Sequence, residues 1–480
     1  MENSNPKPTS LLPRRHFLWN SGSGLGAIAL ACLLQEEARG SDTGPRFGAR
    51  PSHFPGPAKR ILHIYAAGGA SHVDTFDYKP ELTRLNGKTM AGKRKVDTFF
   101  GQPGTLMQSP FEFRRRGQSG LWVSDLLPHL AECADDLCMI RSMVAKSSNH
   151  TPATFQMNSG FTRNGYPCMG SWVTYGLGSE NRDLPGFIVL PDPRGLPAGG
   201  SINWTAGFLP ASHQGVAFRN SGDPLPYLST PPTVSSRRRS SEMELLAQMN
   251  REHLETNPGD SALEARIQSY ELAARMQMTI PDIVDLDTER PETRRLYGLD
   301  EEKTAAFGRN CLLARRLLEN GVRVVQVWIG GAFGRPRINW DGHEDIKENH
   351  TDQADTMDRP LAGLLKDMKE RGMLEDTLVV WSTEFGRTPF TEGLGAKGRD
   401  HHQLAFTCWL AGAGVRKGFS YGASDDVGYD VARDPVTIYD FHATILHLLG
   451  LDHKKLTFYH NGIQRRLTDV HGHVVKGVLA

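Results

Sequence analysis

At 480 residues the chain can form one large α/β domain or two smaller ones. Its 55 Lys and Arg against 54 Asp and Glu leave a formal charge of +1, which removes the electrostatic case for nucleic acid or an anionic membrane surface as partner. The 6 cysteines show no CxxC spacing, which argues against a zinc–thiolate cluster and a dense disulfide framework. Cys133 and Cys138 could pair in an oxidising compartment, but buried free thiols are the simpler expectation.

Residues 1–45 read as an address and linker rather than a fold element. Arg14-Arg15-His16-Phe17-Leu18 has the RRxFL core of a twin-arginine signal. The apolar, glycine-rich run from Gly22 to Leu34 is too short to anchor the chain across a bilayer. Ala38-Arg39-Gly40 is an acceptable cleavage site, and Cys32 has only a partial lipidation box, with Ala29 where Leu is usual. The expectation is export by the twin-arginine machinery to the periplasm or beyond, leaving no stable membrane anchor in the mature chain. Residues 46–480 then form a single domain with loop-rich insertions at about 86–120 and 190–300.

Arg60 to Tyr65 reads as the first strand and breaks at Gly68-Gly69, two glycines that permit close backbone approach to a ligand. The lack of a GxGxxG excludes a dinucleotide site. His72 and Asp74 are candidate ligands, while Asp77 suits a turn. A helix is expected over Leu121–Asp136 and a strand over Leu137–Val144. Pro152 then marks a first helical turn, placing Asn149, His150 and Thr151 at a helix N-terminus that favours an anion.

Residues 241–279 and 307–320 carry helical periodicity, and Val322–Ile329 is an apolar strand. Asp341, His343 and His350 follow that strand's end, an oxygen and nitrogen set that suits zinc, manganese or a similar divalent ion. After a helix over 355–371, Leu378–Trp381 reads as a strand buried on both faces, with Glu384 just past its carboxyl end, where open α/β sheets bind ligands. A Gly-rich loop carries Arg387 as an anion-binding candidate and closes on Asp400, His401 and His402 as further metal candidates. A strand over 404–410 and a helix over 440–450 end the pattern; His442 and His447, five apart, do not share a helix face and read as structural. Strands alternating with helices imply a three-layer α/β/α fold around a mostly parallel sheet.

Several of these stretches resemble the alkaline phosphatase and sulfatase superfamily, in one order. RGMLEDTLVVWSTEFG (371–386) is similar to the sulfatase run ending in a metal-binding Asp-His pair. HTPATFQMNSG (150–160) matches the spacing of the sulfatase nucleophile box, and 440–450 resembles a late helix of that superfamily. Together with the arginine leader, GGASHVDTFD, WDGH and STEFGRTP, the chain resembles the exported domain-of-unknown-function 1501 family within that alkaline-phosphatase-like superfamily. The resemblance implies a metal-dependent hydrolase of phosphate or sulfate esters, acting on a small molecule or carbohydrate, with a divalent ion (zinc, manganese or calcium). It places Glu384 in the slot of the late metal-binding Asp and Asp341, with His343 or His350, in a second Asp/His group. His401 or His402 matches the final ligand, and Asp74 stands in for the first-strand Asp. Two departures accompany it: Phe385 replaces a ligand His, and His150 stands where a nucleophile is expected, with Thr151 as a displaced alternative. These favour a second expectation, a non-catalytic secreted envelope protein that binds a metal or an anion.

Overall fold

Runs that are apolar on both faces of a strand require cover on both sides, and the computed structural model has a sheet of this kind. It describes residues 48–480 apart from 91–95, 97, 220–234, 258–260, 333 and 335; the leader expected at 1–45 lies outside the described residues. The sheet is built from β1 (Arg60–Ala66), β2 (Leu137–Val144), β3 (Phe187–Leu190), β4 (Val216–Ala217), β5 (Val324–Ile329) and β6 (Thr377–Ser382). A buried hairpin follows, β7 (Gly386–Thr391) and β8 (Arg399–His402). Then β9 (Phe406–Gly412), β10 (Phe419–Tyr421) and β11 (Val436–Thr437) complete the sheet. The order is β10-β2-β9-β6-β1-β5-β3-β4, with β11 also paired to β2. Among these strands β9 alone runs against its neighbours, so the expected mostly parallel sheet is present.

Five helices support the site: α1 (His150–Ser159), α2 (Met169–Leu177), α3 (Glu302–Glu319), α4 (Ile346–Glu370) and α5 (Ile438–Leu448). Along β1, Leu62 and Ile64 pack into one layer with Leu312, Leu317, Leu361 and Leu365 of α3 and α4. Ile61 and Tyr65 pack into the other, with Trp172 and Val173 of α2 and Ile445 and Leu446 of α5. Each such side chain, once buried, contributes roughly 1.5–3 kcal/mol.

Helix α1 is tied to the sheet by polar groups. Gln326 Nε2 on β5 donates to Asn158 Oδ1 at 2.8 Å and to His63 Nδ1 on β1 at 3.1 Å. His63 Nε2 in turn donates to Ser382 Oγ on β6 at 2.8 Å, and His442 Nε2 on α5 donates to the Met157 carbonyl at 2.8 Å. Directional bonds at one end of a short helix fix where its other end, His150, must lie.

Several local expectations change. Residues 121–136 are not a helix: Leu121–Ser124 pairs with Phe113–Arg116 as a hairpin, and Leu130–Asp136 is a 3-10 segment. Pro128 between them and the β-prone Leu-Trp-Val run explain the split. The helix over 241–279 is two, Ser236–Thr256 and Ser261–Val284, parted at a Pro-Gly pair in the sequence. The glycine-rich loop after Glu384 is the β7–β8 hairpin. The helix expected from 355 begins at Ile346, because Asp345 caps it by accepting from the N–H groups of Lys347 and Glu348. All five described cysteines are free and buried.

Asp74 has a structural partner. Its carboxylate accepts from Arg399 Nε at 2.7 Å and Nη2 at 3.1 Å, and neither residue is exposed. The pair lashes the β7–β8 hairpin to the segment after β1. Replacing Asp74 by Ala leaves Arg399 buried and unpaired, so urea unfolding should show a loss of about 3–5 kcal/mol. A loss below about 1 kcal/mol would mean that the pair does not hold the hairpin in place.

Burial holds three histidines neutral. It lowers His63, with His442 nearby, to about 3, lowers His442 to about 4, and with Arg50 lowers His213 to about 4. Below about pH 6.5 the unfolded chain binds protons that the native state refuses, so stability present above that pH is lost as pH falls, on the order of 1–2 kcal/mol per histidine by pH 5. The urea midpoint should therefore drop between pH 7 and pH 5; a flat or rising midpoint would contradict the assignment.

Candidate metal centre

Strands β1, β5 and β6 are parallel neighbours, so the segments after Ala66, Ile329 and Ser382 emerge along one sheet edge. They carry Gly68-Gly69, Asp341 with His343, and Glu384. At Gly68 (φ +110°) an added Cβ would fall 2.5 Å from the Trp340 nitrogen and 2.8 Å from that of Asp341. At Gly69 (φ +70°) it would strike the Phe385 ring at 2.6 Å. The two glycines therefore admit neighbouring segments of the chain itself, rather than a ligand. β2 leads to His150 at the start of α1, and the hairpin strand β8 supplies His401.

Four side chains from these segments converge. His150 Nε2, His343 Nε2 and His401 Nε2 lie 3.1, 2.8 and 3.1 Å from the single oxygen Asp341 Oδ1. His343 Nε2 and His401 Nε2 are 2.8 Å apart, and the four ligand atoms all lie within 4.8 Å of one another.

Each outer ring nitrogen faces an oxygen acceptor. His401 Nδ1 faces the Ser148 carbonyl at 2.7 Å, His150 Nδ1 faces Glu384 Oε1 at 2.7 Å, and His343 Nδ1 faces Glu392 Oε2. These outer oxygens can only accept, so a hydrogen on each Nδ1 leaves the neutral ring with an Nε2 lone pair turned inward; Asp341 Oδ1 also can only accept, and positive charge between it and the Nε2 atoms, a proton or a metal ion, meets both demands. Three lone pairs and a carboxylate oxygen facing one another are a donor set for a cation. The pattern of each ligand imidazole giving its other N–H to a carboxylate or carbonyl is that of metal-binding histidines. Three imidazoles and one carboxylate suit zinc or a similar transition ion and point away from calcium, which takes oxygen ligands.

Electrostatics agree. Burial alone would raise the Asp341 carboxyl, but Arg387 and the three imidazoles hold it far below the usual carboxylate range. Burial and Arg387 push His401 down to about 2. Burial also opposes charge on His150, yet its bonds to Asp341 and Glu384 raise it, so without an ion it is the imidazole that takes a proton.

The other expected residues lie elsewhere. Glu384 touches the cluster only through His150; its Oε1 also accepts from the Gly68 N–H at 2.9 Å. His350 is buried on α4, accepting from the Ser71 N–H at 3.0 Å, and burial lowers it to about 3. His402 is buried with Nε2 on the Tyr429 carbonyl and is lowered by burial to about 4. Asp400 accepts three backbone N–H groups, from Phe99, Phe100 and His401. Asp74 is committed to Arg399. Arg387, expected to bind an anion, is fully buried: it donates to the Gly69 carbonyl at 2.8 Å, to Asp341 Oδ1 at 2.6 Å and to His343 Nε2 at 3.3 Å. Phe385 packs 5.0 Å from the His150 ring and 4.8 Å from that of His401.

The cluster forms part of the wall of a cavity of about 660 Å³. Asn149 lines it, as do Phe99, Phe100, Arg337 and Glu392; Thr151 does not. Among the described lining residues none is Ser, Thr or Cys. Arg337, bonded to Asp341 Oδ2, is the guanidinium on the wall in place of Arg387. Sequence reasoning missed it because one arginine in a Gly/Pro-rich loop carries no spacing signal.

No curated protein matches the chain by sequence. Solved structures that it resembles include the lipoteichoic acid synthase LtaP from Listeria monocytogenes (10% identity, TM-score 0.37, covering 88% of this chain and 78% of that one). A TAB5 alkaline phosphatase mutant with magnesium bound matches at 10% identity and TM-score 0.35, over 82% and 99% of the two chains. The PsFucS1 sulfatase from Pseudoalteromonas sp. matches at 10% identity and TM-score 0.33, over 83% and 68%. Likeness at this level says nothing of chemistry. The family is set by sequence: residues 58–479 match the profile described as "Protein of unknown function (DUF1501)", and the chain belongs to that family.

Proposed function

We propose that the protein is a metal-dependent hydrolase of phosphate or sulfate esters, with one divalent ion held by His150, Asp341, His343 and His401. The observation that carries this is the inward turn of three Nε2 lone pairs onto one carboxylate oxygen. A divalent ion in such a site acts as a Lewis acid and charge clamp on an ester oxygen. The chain's own groups do the rest. Asn149 lies on the cavity wall as a hydrogen donor for the anion, and Arg337, bonded to Asp341 and Glu344, adds positive charge there. Arg387 balances the charge of Asp341 from within the protein. With no hydroxyl or thiol on the described wall, a water is the attacking group in this reading, and Glu392, a wall carboxylate that also accepts from His343 Nδ1, takes its proton. His150 is then a ligand rather than a nucleophile, and Thr151 has no chemical part.

The same missing hydroxyl favours the second reading, a non-catalytic relative that keeps the ion to capture an anion. Turnover separates the two. Zinc- or manganese-loaded protein should hydrolyse an aryl phosphate or sulfate, Thr151→Ala should keep its rate within about two-fold, and Asp341→Ala should lower kcat/KM by at least about 100-fold. Loaded protein that turns over neither ester class is the binding protein instead. Glu384→Gln, which disturbs the partner of His150, should weaken metal affinity by about 10–100-fold in a chelator competition; unchanged affinity would remove Glu384 from the site.

We further propose that residues 1–45 are a twin-arginine leader and that the mature protein works in the periplasm or outside the cell. The Arg14-Arg15 pair ahead of an apolar run supports this, and among the described residues no helix is long and apolar enough to cross a membrane. Replacing both arginines by Lys should retain the chain in the cytoplasm; undiminished export would overturn the assignment.

A further inference from the structure

Two large aromatic side chains stand partly in water beside this charged cluster. Phe99 and Phe100 are 38% and 47% exposed, and both line the cavity. Their rings meet edge to face with centroids 4.6 Å apart. Phe99 lies 4.8 Å from the His401 ring, and Phe100 lies 5.5 Å from the His343 ring. Each aromatic surface therefore begins one side chain away from the proposed ion. Adjacent exposed rings in a polar cavity are unfavourable in water and become favourable when a ligand covers them.

The turn that carries them is held in place. The backbone N–H groups of Phe99 and Phe100 both donate to Asp400 Oδ2, at 2.8 and 2.9 Å. Asp400 Oδ1 accepts from the His401 N–H at 2.7 Å, and the Asp400 N–H donates to Thr388 Oγ1 at 3.1 Å. Asp400 itself is fully buried. One carboxylate thus fixes the distance between an aromatic pair and the backbone of a ligand histidine. That is its part in the molecule, in place of the metal ligation expected from sequence.

We propose that Phe99 and Phe100 are a specificity platform: the ligand of this site carries a flat-faced ring next to its phosphate- or sulfate-like group. Asp400 is the positioning residue that sets the platform. The inference rests on the metal reading above and adds the shape of the substrate to it. Ring-on-ring contact supplies affinity with little rotamer entropy lost, because a Phe has only two side-chain torsions. Glu344 on the same wall, bonded to Arg337 and otherwise open to solvent, keeps acceptor lone pairs for hydroxyls around that ring, which favours a sugar.

The test is calorimetric titration of the zinc-loaded full chain with three unhydrolysable anions: methylphosphonate, phenylphosphonate and a glucose 6-phosphonate. The ring-bearing anions should bind about ten-fold tighter than methylphosphonate. In the double variant Phe99→Ala/Phe100→Ala that preference should vanish, while zinc content and methylphosphonate affinity stay unchanged. Asp400→Ala should lose the preference too. The tighter of the two ring-bearing anions tells a carbohydrate face from an aromatic one. Zinc-loaded protein that binds all three alike, or a preference that survives the double variant, overturns the platform and leaves the metal reading standing. A chain that holds no zinc overturns both.

Discussion

Three imidazole lone pairs and an ionised carboxylate cannot share one small volume without positive charge among them. This constraint organises the site. The hydrogens that could have relieved it are spent on the outer ring nitrogens, where Ser148, Glu384 and Glu392 accept them. Arg387 relieves part of it by bonding Asp341 Oδ1 and His343 Nε2. The remaining demand is met by a proton on His150 or by a metal ion, and only the ion satisfies all four donors together.

The fold bears on that geometry at each step. A parallel sheet sends the ends of β1, β5 and β6 to one edge, and the polar strip of His63, Gln326, Asn158 and Ser382 fixes α1 so that His150 reaches the same place. The Asp74–Arg399 pair then draws in the hairpin that carries His401. Buried charge pairs of this kind serve placement more than net stability, since their attraction is largely offset by desolvation. The close crossing at Gly68 completes the assembly, bringing the backbone of the first strand's loop against that of Trp340 and Asp341.

Much of this was legible in the sequence. Apolar strands without polar alternation gave the covered sheet, and strand-end carboxylates and imidazoles marked Asp341, His343, Glu384 and His401. What could not be read was which neighbour in a pair would point inward. His401 and His402 are adjacent on β8, where successive side chains face opposite ways, and the strand-end pattern is blind to that parity. His350 reads as a loop residue because the Asp345 cap, which starts α4 early, shows itself only in the fold. Asp74 and Asp400 read as ligands because a buried carboxylate looks the same in sequence whether its partner is an ion, a guanidinium or backbone N–H groups. Phe99 and Phe100 carried no signal, because two aromatics in an excursion resemble ordinary core filler until the fold leaves them in water.

The proposed ion sits among His150, Asp341, His343 and His401. Anomalous diffraction at the zinc edge, from crystals of zinc-loaded protein, addresses it most directly. One peak is expected in this cluster, about 2.0–2.1 Å from the Nε2 atoms of all three histidines and bonded to the Asp341 carboxylate. A cluster without a peak, or one ligated through Nδ1 with Glu384 and Glu392 displaced, would contradict it.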